Sequence, residues 1–195
     1  MKLKTAVTLG LIAAVSAVVA AATPEVLYVY KTKSDPLNRY IPSGWMGDYG
    51  ELKLDDANRD KPTHGNTSIR WTYDAKSRQG AGWTGVFWQH PANNWGNKPG
   101  GYDLSGYKRL TFWARGAKGG EVINEFKVGG ITGEFSDTDA AAVGPVTLTA
   151  EWKKYTIDLS GKDLSKIIGG FCWAASRDSN PDGFVIYFDD IKFEK

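Results

Sequence analysis

The chain has 195 residues, with 24 Lys and Arg against 22 Asp and Glu. Lys2 and Lys4 supply that excess, so the rest of the chain is neutral overall and offers no basic surface for nucleic acid. A lone cysteine, Cys172, excludes an internal disulfide, and two histidines, His64 and His90, exclude a multi-histidine zinc site.

Residues 1–22 carry Lys2 and Lys4, an apolar run from Leu9 to Val19 and the small residues Ala20-Ala21-Ala22. That is the three-part pattern of a secretory signal peptide cleaved after Ala22, which implies a secreted or periplasmic protein. The run is short for a bilayer span, so the mature chain is expected to have none; an uncleaved anchor is the alternative. Residues 23–195 then form one domain.

Strand signals follow in close succession: Glu25–Lys31, Thr67–Tyr73, Thr84–Gln89, Arg109–Arg115, Glu121–Val128, Val146–Leu148, Lys154–Leu159, Gly170–Ala175 and Phe184–Phe193. Each is rich in β-branched and aromatic residues, and Gly, Pro, Asn and Asp clusters separate them. Helical spacing is absent after residue 22 apart from one possible turn at Asp163–Ile168. About nine short strands with regular turn signals predict an all-β fold, an antiparallel β-sandwich of jelly-roll type.

The chain carries eight Trp, nine Tyr and eight Phe. A sandwich buries one face of each strand and sends alternate side chains outward. With Leu110, Phe112 and Ala114 inward, Trp113 and Arg115 point out; Glu125 and Lys127 do the same in the next segment. Placed on neighbouring strands, these four make a polar-aromatic surface suited to a sugar ring, with its apolar C–H face and hydroxyl rim. The alternative is that the tryptophans only fill the core.

The segment Phe87–Gly101, FWQHPANNWGNKPGG, is unlike the strands around it. Trp88 ends a strand, His90-Pro91 stops it, and Asn93, Asn94 and Gly96 turn the chain about Trp95. Such a loop either presents Trp88, His90, Asn93, Asn94 and Trp95 to a glycan or tucks Trp95 beneath itself as a plug.

Acidic residues mark both ends of the domain: Asp48 and Glu51 in GDYGE, and Asp189-Asp190 inside the last strand signal. First and last strands often adjoin in a sandwich, which would bring the clusters together as oxygen ligands for Ca²⁺. Alternatively one Asp faces solvent and its neighbour pairs with a cation. Glu121, Glu125, Glu134, Asp137 and Asp139 are the carboxylates available for glycoside hydrolysis, with no spacing that selects a pair.

The segments YDLSGYKRLTFWARG, EFKVGG, EWKKYTIDLSG and YFDDIKFE resemble the galactose-binding-like jelly roll of calcium-containing carbohydrate-binding modules from bacterial glycosidases. The resemblance covers most of residues 45–195. It implies a structural calcium on the first Asp of the ending, here Asp189, with an acidic partner at Asp48 or Glu51. The function expected is a secreted, non-catalytic protein that recognises a polysaccharide or glycan through Trp88, His90, Asn93, Asn94, Trp95, Trp113, Arg115, Glu125 and Lys127. The alternatives are a small secreted glycoside hydrolase or polysaccharide lyase on the same fold, and a structural cell-envelope protein.

Overall fold

The computed structural model describes residues 23–195, so the signal segment lies outside the described residues. Thirteen strands are present: β1 Val26–Tyr30, β2 Ile41–Gly47, β3 Leu52–Asn58, β4 Ser68–Tyr73, β5 Trp83–Gln89, β6 Arg109–Gly116, β7 Val122–Ile123, β8 Glu125–Gly129, β9 Ala140–Val143, β10 Val146–Thr147, β11 Lys153–Asp158, β12 Gly169–Ser176 and β13 Phe184–Glu194. Among the described residues the only helical element is a 3-10 turn at Tyr49–Glu51.

Two antiparallel sheets form the sandwich. A six-stranded sheet runs β11-β6-β13-β4-β3, with β1 also paired to β13, and a five-stranded sheet runs β2-β5-β12-β8-β9. The first and last strands are neighbours, as expected: Leu27 lies opposite Phe193. The two-stranded pair β7–β10 closes one end.

The core is aromatic. Phe112 of β6 meets Phe126 of β8 across the sandwich at 4.7 Å between ring centroids, and Trp71 of β4 meets Trp173 of β12 at 5.5 Å. These rings bury large apolar areas and favour tilted and edge contacts over face-to-face stacking. The arrangement leaves the indole N–H groups of Trp71 and Trp173 without partners, an unfavourable term set against the packing.

Three strands, β2, β3 and β9, depart from the sequence expectation: Pro42, Gly44 and Gly47 dilute the first, acids dilute the second, and three alanines weaken the strand signal of the third. The segment Glu121–Val128 is two strands. At the break the Asn124 amide N–H donates to Ala174 O, and its side-chain oxygen accepts from Ser176 N at 2.7 Å. No helical turn forms at Asp163–Ile168; the Asp163 carboxylate accepts from Ser165 N, the local competition that disfavours helix.

Candidate functional site

Alternation along each strand fixes which side chains leave the sandwich. In β5, Thr84, Val86 and Trp88 point inward, so Trp83, Gly85 and Phe87 lie on the outer face of the five-stranded sheet. In β12, Phe171, Trp173 and Ala175 are core, which puts Cys172 and Ala174 outside beside them. Cys172 in turn lies opposite Lys127 of β8, and Ala174 opposite Glu125. The result is a trough open beside Ala174 and capped at its far end, where Ile131 and Ile168 bury Phe87 and Cys172 in a small second core with Met46 against it. One side of it is apolar and the other is ionic.

The apolar wall is Trp83, Met46, Phe87 and Trp95. Gly85 keeps the floor low: a side chain there would meet the Trp173 carbonyl at 2.6 Å and the Met46 methyl at 3.1 Å. Trp83 is 39% exposed and Trp95 43%, among the few large apolar side chains open to solvent. Trp95 stands edge-on to Phe87, with ring centroids 6.0 Å apart and planes at 87°. Trp83 sits four residues from Phe87 along β5, roughly 13 Å away. On the ionic wall Lys127 Nζ lies 3.7 Å from Glu125 Oε1.

The loop that carries Trp95 is tied down at many points. Asn94 is fully buried, its side-chain oxygen accepting from Gly96 N at 3.1 Å and its amide donating to Lys98 O at 2.9 Å. Gly96 has φ +81, and a side chain there would collide with Thr132 O. Its carbonyl accepts from Phe135 N, which joins this loop to residues 131–137. Asp137 anchors that second loop in turn, accepting from Ile131 N at 2.9 Å and from Ile168 N. Burial pushes the Asp137 carboxyl above its ordinary range despite those donors. His90 stacks on Tyr102 at 4.2 Å, and burial depresses its pKa below the usual 6.5.

The residues singled out in the sequence do not share one surface. Trp95, Glu125 and Lys127 border the trough, and Asn93 is exposed in the Trp95 loop. Trp88 is a correction: it is 1% exposed, packed against Trp71 and Phe171 in the core. Asn94 is likewise internal, holding backbone. Trp113 and Arg115 are on the opposite side of the molecule, since β6 and β8 belong to different sheets and not to neighbouring strands. Trp83, Met46 and Phe87 were missed, although the inward reading of Trp88 would have turned Trp83 and Phe87 outward by alternation.

On that opposite side the loop 59–66 covers the six-stranded sheet. The Arg115 guanidinium lies 3.7 Å from the Tyr187 ring centroid and 5.2 Å from that of Trp152, and donates to Asp60 at 2.9 Å. Trp152 Nε1 donates to Lys61 O at 2.7 Å. Asp189 accepts from Thr63 N, Thr63 Oγ1 and His64 N at 2.7–3.0 Å, and from Asp190 N at 2.8 Å. A β-bulge between Asp189 and Lys192, with Asp190 at φ 49, lets two consecutive acids sit in one strand. Asp190 pairs with Lys192 at 2.7 Å.

The expected calcium set does not assemble. Asp48 and Glu51 bind the loop 74–82: Asp48 accepts from Ser77 Oγ, Ala81 N and Gly82 N, and Glu51 from Lys76, Ser77 and Arg78 N–H groups. Glu51 adjoins Leu52, which is level with Tyr73 and so with Phe184. Asp189 is five residues further along β13, roughly 16 Å away. Calcium needs six to eight converging oxygen ligands, whereas each of these carboxylates faces hydrogen-bond donors. Among the described residues no group of three His, Cys, Asp or Glu side chains is placed to hold a metal ion.

No family model and no curated protein sequence matches the chain. Solved structures do. A family 30 carbohydrate-binding module superposes with a TM-score of 0.58 at 19% identity over 87% of each chain. The family 30 carbohydrate-binding module of a cellulosomal cellulase of Clostridium thermocellum gives a TM-score of 0.57 at 20% identity, over 87% of this chain and 97% of that one. The structural neighbours are therefore carbohydrate-binding modules, and the chain shares their antiparallel β-sandwich.

Proposed function

We propose that this protein is an exported, non-catalytic carbohydrate-binding module that takes a polysaccharide along the outer trough of its five-stranded sheet. The observation that carries this is the pairing of two solvent-exposed tryptophans, Trp83 and Trp95, with a Glu125–Lys127 side across β12, where Ala174 is part-exposed. An aromatic wall buries the apolar faces of sugar rings, and the charged wall hydrogen-bonds their hydroxyls. The sandwich it shares with carbohydrate-binding modules supports the same conclusion. Of the acids considered for hydrolysis, Glu121, Asp137 and Asp139 accept backbone N–H groups and serve their loops.

Affinity electrophoresis against soluble β-glucan, xylan and galactomannan, with a reducing-sugar assay on the same samples, tests this. Retention on at least one polymer without new reducing ends is expected. Retention on none overturns the binding proposal, and product formation overturns its non-catalytic part. Export predicts a mature chain beginning at Thr23, read from its intact mass.

A further inference from the structure

Trp95 owes its position to two residues beneath its loop. Gln89, the last residue of β5, alternates toward the outer face yet is fully buried beneath the loop. Its amide nitrogen donates to the backbone carbonyl of Asn94 at 2.9 Å. Its amide oxygen accepts from Ser43 Oγ of β2 at 2.8 Å. The same Ser43 oxygen accepts from the backbone N–H of Asn93 at 2.9 Å. Gln89 and Ser43 thus bracket the Asn93–Asn94 pair from both sides, immediately before Trp95.

That pair needs holding. Asn93 has φ 56, a left-handed conformation that asparagine adopts more readily than other side chains but does not hold without local bonds. A primary amide is suited to the task because it supplies donor and acceptor at once, and burying one is unfavourable unless both are used. We infer that Gln89, relayed through Ser43, is a positioning residue that fixes Asn93 in its left-handed conformation and so presets Trp95 for the ligand. A preset indole adds affinity because its ordering does not have to be supplied on binding. The role of Trp95 in this rests on the proposed function; the ordering of Trp95 does not.

The test uses Gln89→Leu and Ser43→Ala, each alone and combined with Trp95→Phe, so that difference spectra isolate the emission of Trp95. Acrylamide should quench Trp95 at least about twofold more readily in both variants, with the other tryptophans unchanged. Equal quenching of Trp95 in wild type and both variants overturns the inference. Ser43→Ala keeps the question open to refutation if Gln89→Leu fails to fold. In the second arm, affinity is measured for the best retained of soluble β-glucan, xylan and galactomannan. Gln89→Leu should weaken it about tenfold in the presence of Trp95 and no further when combined with Trp95→Ala, because coupled residues are not additive. Additive losses overturn the inference. Should wild type bind none of the three, the functional proposal falls while the quenching result still decides the role of Gln89.

Discussion

The two outer faces of the sandwich are built from similar residues and differ in what covers them. The six-stranded sheet presents Trp113, Arg115 and Tyr187, and the loop 59–66 lies over them, held by Asp60, Lys61, Thr63 and His64. The five-stranded sheet presents Trp83, Met46, Glu125 and Lys127; Ile131 of the loop 131–137 covers only its Phe87–Cys172 end, and Trp95 stands edge-on to Phe87 there. Aromatic and charged residues in alternation therefore do not by themselves mark a binding surface. What separates the faces is the use of polar groups: on the covered face they are consumed by the loop, on the other Glu125 and Lys127 pair with each other and keep contact with solvent.

The largest effect that sharpens this contrast is on stability. Asp189→Ala removes the acceptor for four donors in the covered face. Losing this fully buried acceptor, with three of its donors half-buried in the loop, costs about 3 kcal/mol. Chemical denaturation should show that loss while polysaccharide affinity stays at the wild-type value. A fall in affinity would mean that the covered face takes part in binding.

The complementary prediction concerns the open face. Trp83→Ala and Trp95→Ala should each reduce polysaccharide affinity by about thirtyfold, or about 2 kcal/mol, as for aromatic anchors at other interfaces. Both rings are substantially exposed, so the melting temperature should scarcely move. Trp113→Ala should do neither. If it weakens binding as much as Trp95→Ala does, the assignment of faces is reversed.

Much of this was legible in the sequence, and the limit of legibility has a physical cause. A period of two tells which side chains share a face of their own strand, so the inward set Leu110, Phe112 and Ala114 was readable. It says nothing about which strand lies alongside. Placing β6 beside β8 merged two opposite surfaces into one, because pairing is set by long-range packing such as Phe112 against Phe126. Trp88 failed for a local reason. The turn chemistry of His90-Pro91 drew attention to the strand end, whereas Val86 and Trp88 share the inward phase. The adjacency of β1 and β13 is as expected, yet the acids do not meet, since Asp48 and Glu51 lie between β2 and β3, at the end of the β3–β4 pair remote from Asp189.

A smaller effect follows from His90, stacked on Tyr102 at the root of the Trp95 loop. Burial lowers its folded-state pKa below the unfolded value of 6.5. The unfolded chain then takes up the proton first as pH falls, so the contribution of neutral His90 is fully present above about pH 6.5 and is lost below it, down through the lowered folded-state pKa. Thermal melts from pH 7.5 to 5 should show that decline, and His90→Gln should flatten it. An identical slope in the variant would assign the decline to other groups.

The smallest expected effect is none at all, and it bears on the acids at both ends of the domain. A cation that binds only the folded state raises the melting temperature by mass action, and a chelator reverses the rise. Here Asp189 spends its oxygens on Thr63, His64 and Asp190, while Asp48 and Glu51 spend theirs on the loop 74–82. A calcium ion at either place would have to displace N–H donors from buried carboxylates and leave those donors unpaired. The melting temperature should therefore be the same in EDTA and in millimolar calcium. Asp189→Asn, which keeps one acceptor oxygen, should destabilise less than Asp189→Ala and should also be indifferent to calcium. A melting temperature that rises with calcium in wild type and not in Asp189→Asn would establish a metal site at the covered face, and the loop 59–66 would then be held by the ion and not by hydrogen bonds alone.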